Sequence, residues 1–159
     1  MKKRIVHLVC NAHLDPVWMW RWEDGLAEAL STFRVAAEFC ERHREFVFNH
    51  NESLLYEWIE THDPALFARI RRLVRRGQWH IAGGAYLQPD LNAPCGESHI
   101  RHYLYGKRYF ARTFGSVPTT AYNFDSFGQP EGLPQILSGC GCDSYVFCRP
   151  SHGTRKLPA

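Results

Sequence analysis

Ile5-Val6-His7-Leu8-Val9-Cys10, followed at once by Asn11-Ala12-His13-Leu14-Asp15-Pro16-Val17-Trp18, is the stretch whose reading decides the fold. The first part is an apolar run of strand length and predicts a buried strand. The second carries an imidazole and a carboxylate out at that strand's carboxyl end, where open α/β sheets and barrels hold their ligands. On extended backbone, positions i and i+2 point to the same side, so His13 and Asp15 can grip one ion. Pro16 ends the extension. Trp18 sets a flat apolar face beside the polar pair, a combination suited to a sugar ring. The same residues also fit a simpler role, because a His and an Asp past a strand end can be loop polars bonded to backbone. A second cluster, Asn123-Phe124-Asp125-Ser126-Phe127-Gly128, follows the β-prone run Thr119 to Tyr122 and again presents a carboxylate at a strand end. Two such ends on one sheet can converge.

Between these clusters, helix and strand patterns alternate. Leu26, Leu30, Phe33, Ala37 and Cys40 step by three and four, the period of a helix facing a core. Residues 45–50 read as a strand, and Leu54, Leu55, Trp58 and Ile59 mark a short helix. Asp63-Pro64 opens another helix as N-cap and first turn, with Leu66, Phe67, Ile70, Leu73 and Val74 as its buried stripe and Gly77 as its stop. The arginines of that helix, Arg69, Arg71, Arg72, Arg75 and Arg76, mostly fall off the stripe and predict a solvated face. A strand over 78–86, a helix over 97–114, a strand ending before Asp125, a helix over 130–138 and a strand over 144–148 complete the order. His99 and His102 read as surface or capping histidines, and Asp90 as a residue that caps or braces its turn or, at most, stands behind a site's contacting residues. Strands alternating with helices, without repeats or low-complexity linkers, predict an α/β fold with a parallel sheet.

With 159 residues, 45% hydrophobic and 14% aromatic, the chain can bury a core in one domain-sized unit. A net charge of +3 is too small to favour nucleic acid or an anionic membrane surface. Met1-Lys2-Lys3-Arg4 resembles the start of a signal peptide, but the apolar run after it is short and no stretch reaches the length of a membrane span. The six cysteines include no C-x-x-C pair and read as reduced structural thiols. A cytoplasmic location is expected.

Ala12-His13-Leu14-Asp15-Pro16-Val17-Trp18, then Gly83-Gly84 with Pro89-Asp90, then Phe124-Asp125-Ser126-Phe127-Gly128, and finally Phe147-Cys148-Arg149-Pro150 resemble, in order, glycoside hydrolase family 38, the zinc-dependent retaining α-mannosidases. The resemblance runs from about Arg4 to Pro150. It implies the N-terminal portion of a catalytic domain, residues 1–159 being part of an incomplete seven-stranded α/β barrel. It also implies that His13, Asp15 and Asp125 bind one zinc ion and that Asp125 is the nucleophile. Arg149 orients Asp125, and Trp18 and Phe127 line the pocket of an α-mannoside or oligosaccharide substrate. Trp20 and Trp22 read as packing residues.

Retaining hydrolysis needs a second carboxyl group as acid, about 5 Å from the nucleophile. By the resemblance, that acid and a fourth metal ligand lie beyond residue 159, so the chain is expected to be a fragment. His152 reads as a loop residue and not as a substitute ligand. An unclosed sheet edge would favour self-association or docking of a missing C-terminal segment. Two other classes stay open: a metal-dependent carbohydrate deacetylase, which needs a water-activating base instead of a nucleophile, and a non-catalytic sugar-binding module. Cobalt or manganese could replace zinc on the same ligands.

Overall fold

The computed structural model describes residues 4–149, so Pro150 and His152 lie outside the described residues. Helix α1 (Trp22–Arg42) turns Ala29, Phe33, Ala37 and Cys40 to the interior. Strand β1 (Phe48–Glu52) is buried along its whole length and leads directly into α2 (Ser53–His62). Asp63 caps α3 (Pro64–Arg75), its carboxylate accepting from the Leu66 backbone N–H at 2.9 Å and from Arg34 at 3.0 Å. Gly77, at a positive φ of 74°, ends this helix region and turns the chain into β2 (Trp79–Ala85). Helix α4 (Gly96–Phe114), stopped by left-handed Gly115, leads to β3 (Thr120–Asn123), α5 (Leu133–Gly139) and β4 (Ser144–Phe147).

The fold is α/β with parallel strands, paired two by two. β1 runs parallel to β2 in the register Phe48↔Trp79 and His50↔Ile81, and β3 runs parallel to β4 in the register Thr120↔Ser144 and Asn123↔Phe147. β2 and β3 pack beside one another without forming a common ladder. The larger core lies under β1 and β2, where Phe33 meets Trp79 at 5.3 Å and Tyr56 at 5.1 Å between ring centroids. The Trp79 indole donates to the Tyr56 hydroxyl (2.8 Å), which donates to the His50 carbonyl (3.2 Å), so the aromatic core carries no stranded polar tip there. A smaller core, with Leu91, Tyr103, Ala121, Leu133 and Leu137, supports β3.

Three expectations are corrected. The run Ile5 to Cys10 does not form a buried strand: Ile5, Val6, Leu8 and Val9 are exposed, and only Cys10 makes a parallel bridge, to Phe48. A parallel strand buries itself only when both faces are covered, and among the described residues nothing covers this run. His99 is not a surface histidine but is buried, with Nε2 unpartnered. The arginine-rich face is also more than solvated polarity, since Arg69 grips Glu41 of α1 with two bonds of 3.1 and 2.8 Å and so pins α3 to α1.

Helix α4 approaches β2 closely because residue 106 is glycine. A Cβ there would run into the Gly84 carbonyl, the Ala85 carbonyl carbon and the Tyr86 nitrogen, all of them backbone atoms that cannot rotate away. Gly106→Ala should therefore lower stability by about 1–3 kcal/mol, the usual cost of overpacking, although alanine is the better helix former by about 1 kcal/mol. Urea unfolding measures this, and an unchanged or raised midpoint would show that α4 does not pack on β2 through Gly106.

Candidate functional site

The motif after Cys10 is held in place by the polar residues of β1. Asn49 donates to the Cys10 carbonyl from both its backbone and side-chain amides (2.9 and 2.7 Å), and Asn11 donates in return to the Asn49 carbonyl at 2.9 Å. His50, fully buried, accepts from the Asn51 N–H at Nδ1 (3.1 Å), which leaves Nε2–H to donate to the Ala12 carbonyl at 3.0 Å. Further along, the Trp20 indole donates to the Asp15 carbonyl at 3.1 Å. Gly25 at the start of α1 lies against the Pro16 carbonyl, where no side chain would fit. The loop is thus fixed on both sides before its functional groups are considered.

His13 and Asp15 do come together: Nε2 of His13 lies 3.3 Å from Oδ1 of Asp15, with the side chains 30% and 41% exposed. Two donors each about 2.1 Å from a tetrahedral ion stand about 3.4 Å apart, so the pair fits two corners of a zinc site. Asp125 sits in the turn after β3, and its Oδ1 meets Nη2 of Arg149 at 2.7 Å. The same guanidinium lies over the Phe127 ring, 5.4 Å from its centroid. Phe127 and Trp18 are both exposed, and Trp18 has an edge contact with Trp20 at 5.3 Å between centroids. Among the described residues, no three His, Cys, Asp or Glu side chains form one metal-holding group.

The two clusters are joined through a residue that the sequence did not single out. Gln88, in the loop after β2, places its side-chain nitrogen 3.2 Å from Nδ1 of His13, and its side-chain oxygen accepts from the Phe124 backbone N–H at 2.7 Å. Its own backbone N–H donates to Oε1 of Glu52 at 2.8 Å. The rest of this loop is tied down in the same region, since Asn123 donates to the Pro89 carbonyl (2.8 Å) and Asn92 to the Phe127 carbonyl (3.1 Å). Asp90 accepts from the Asn92 N–H at 2.9 Å and braces the turn.

Glu52 is a second residue that the sequence pattern does not single out, since the strand pattern over residues 45–50 stops short of it. In the fold it ends β1, fully buried, with Oε2 unpartnered. Burial pushes its carboxyl from an ordinary 4.5 up to about 7, against the opposing pull of the Gln88 amides, and the nearby Asp15 charge adds to the rise. Burial also lowers His50, from 6.5 to about 4, partly offset by its bond to Ala12. A carboxyl placement at a strand end was the available signal for Glu52. Nothing in the sequence distinguishes Gln88.

Residues 3–159 match the family model described as the glycosyl hydrolases family 38 N-terminal domain. The chain is 32% identical over 141 residues to the human protein named alpha-mannosidase 2C1, covering 89% of this chain and 14% of that one. To alpha-mannosidase G of Dictyostelium discoideum it is 31% identical, covering 89% of this chain and 13% of that one. The chain therefore spans about one seventh of the length of these curated relatives. Among solved structures, an alpha-mannosidase from Enterococcus faecalis superposes with a TM-score of 0.79 at 20% identity over 87% of this chain and 16% of that chain. A 4-alpha-glucanotransferase from Thermococcus litoralis superposes with a TM-score of 0.68 at 26% identity, over 86% of this chain and 21% of that chain.

The two buried titrating groups of β1 pull stability in opposite directions. Between pH 4.5 and about 7 the folded protein keeps a proton on Glu52 that the unfolded chain has released, so this contribution falls as pH rises through that window. His50 contributes stability that is present above pH 6.5 and lost as pH falls towards 4. Shifts of this size are each worth roughly 3 kcal/mol, so they largely cancel in mildly acidic solution. Glu52→Gln removes one of them. Relative to the parent, the variant should gain roughly 3 kcal/mol between pH 4.5 and 8, measured by urea unfolding across that range. A difference independent of pH would mean that Glu52 titrates alike in the folded and unfolded chains.

Proposed function

The chain belongs to glycosyl hydrolase family 38, and on that premise we propose that it supplies the metal-gripping and nucleophile-bearing part of an α-mannosidase catalytic domain. The substrate is an α-mannoside, or an oligosaccharide ending in one. The observation that carries this reading is the meeting of both acidic clusters on Gln88, which puts the His13–Asp15 pair and the Asp125 turn on one rim of the fold. His13, Asp15 and Asp125 are the residues of this chain that would hold zinc, the imidazole and carboxylate donor set that zinc favours. When bound, the ion would act as a Lewis acid on the vicinal hydroxyls of the mannose ring.

Asp125 is the nucleophile in this reading. Its carboxylate attacks the anomeric carbon, the glycosidic oxygen leaves, and water later releases the sugar with its configuration retained. Arg149, bonded to one Asp125 oxygen at 2.7 Å, fixes the direction in which the other oxygen points. Trp18 and Phe127 offer exposed aromatic faces to the apolar side of the ring. The acid that protonates the leaving oxygen, and a further histidine ligand, belong to sequence outside residues 1–159. A cytoplasmic location belongs to the same reading and is supported by free cysteines throughout the described residues. No helix among the described residues is long and apolar enough to cross a membrane.

In the full-length enzyme, Asp125→Asn keeps the side chain's shape but removes its nucleophilicity, so turnover of an aryl α-mannoside should fall by several powers of ten. A variant within tenfold of the parent would exclude Asp125 as the nucleophile. Released mannose, as opposed to released acetate from an acetylated sugar, separates this reading from a deacetylase. Trp18→Ala should leave stability within about 0.5 kcal/mol, as expected for an exposed residue, while raising KM for the mannoside. Unchanged KM would return Trp18 to a packing role against Trp20.

A further inference from the structure

We infer that Gln88 is a positioning residue that locks the proton of His13 onto Nε2 and couples the His13 ring to the turn that carries Asp125. The orientation of its amide is set by a group with no choice of role. The Phe124 backbone N–H can only donate, and at 2.7 Å it donates to the Gln88 side-chain oxygen. Reversing the amide would set its NH2 against that N–H, donor against donor. The NH2 therefore faces His13, 3.2 Å from Nδ1, and Nδ1 must accept. An imidazole that accepts at Nδ1 carries its proton on Nε2, the nitrogen that lies 3.3 Å from the Asp15 carboxylate. The Gln88 backbone is anchored separately by its 2.8 Å bond to buried Glu52, so the side chain pivots from a fixed point.

This arrangement has a consequence for metal loading, and here the inference rests on the proposed role of His13 as a ligand. Ligation through Nε2 requires the proton to leave that nitrogen and Nδ1–H to find an acceptor. Gln88 can supply one only by turning its amide, which gives up the bond from Phe124 N–H. Binding of a divalent ion at His13 is thereby linked to release of the backbone immediately before Asp125, so the two ligand-bearing segments rearrange together. A carboxylate at position 88 would accept from both sides at once and would not need to turn.

The test is 15N NMR of the 159-residue chain, first without metal, because the ring nitrogens that carry a proton and those that do not have distinct shifts. The parent should show His13 bare at Nδ1 and protonated at Nε2, and Gln88→Glu should place a proton on Nδ1. A parent protonated at Nδ1, or a Gln88→Glu chain with Nδ1 still bare, would overturn the lock. The parent measurement decides this alone if the variant does not fold. Zinc is then titrated into both chains. In the parent, the Phe124 amide should lose hydrogen-exchange protection as the His13 signals shift, whereas in Gln88→Glu it should keep it and zinc should bind about tenfold tighter. Parent protection that persists while His13 shifts would overturn the coupling. Zinc that leaves the His13 signals unmoved would overturn the coupling together with the ligand role of His13, while the metal-free spectra still decide the lock.

Discussion

Four polar side chains in succession, Asn49, His50, Asn51 and Glu52, are buried in β1, and a buried polar group that finds no partner costs roughly 1–3 kcal/mol. Most of this chain's site geometry follows from where those partners are found. Asn49 takes Cys10 and Asn11, His50 takes Ala12, and Glu52 takes Gln88. The strand thus binds the motif-bearing segment on one side and the loop after β2 on the other through side chains, where the backbone ladder alone would reach only Cys10. Both Asn51 side-chain polar atoms, Oε2 of Glu52 and Oγ of Ser53 remain unpartnered, all at the carboxyl end of the strand. That end is where parallel α/β folds bind ligands, and four of the six unpartnered buried side-chain atoms among the described residues lie there.

The packing beneath the strand serves the same end. Phe48 of β1 packs with Phe33, Tyr56 and Trp79 in a cluster whose rings meet at 4.7 to 5.3 Å, which excludes water from His50 and lowers its proton affinity. Burial raises that of Glu52. The consecutive glycines at 83 and 84, both at positive φ, bend β2 around Asn51, and a Cβ at 83 would strike that side chain. The shift of register between His50 and Glu52 follows, and with it the direction in which the loop carrying Gln88 leaves the sheet.

The fold by itself does not separate chemistries. An alpha-mannosidase and a 4-alpha-glucanotransferase superpose on 87% and 86% of this chain with TM-scores of 0.79 and 0.68. What distinguishes a site on such a scaffold is the identity of the few side chains at the strand ends. Here the loop after Cys10 holds an imidazole and a carboxylate at 3.3 Å, and the turn after β3 holds a second carboxylate clamped by an arginine that also stacks on an aromatic ring.

The helices were legible in the sequence because their signals are local. A three-and-four spacing of apolar residues, an Asp-Pro start and a glycine stop each act within one or two turns, and α1, α3 and α4 fall where those signals place them. The end of β3 before Asp125 was legible too, and so was the closeness of His13 and Asp15, since their i, i+2 spacing needs no knowledge of the partner. The run Ile5 to Cys10 misled because its hydrophobicity states only that the residues prefer cover, not that the described part of the chain provides it. Gln88 and Glu52 could not be read at all. Gln88 matters through a histidine 75 positions before it and a backbone N–H 36 positions after it. The sequence by itself determined which residue types stand at each strand end. Only the tertiary structure decided which of them meet, because a hydrogen bond depends on distance and direction in space, and neither is written in the spacing along the chain.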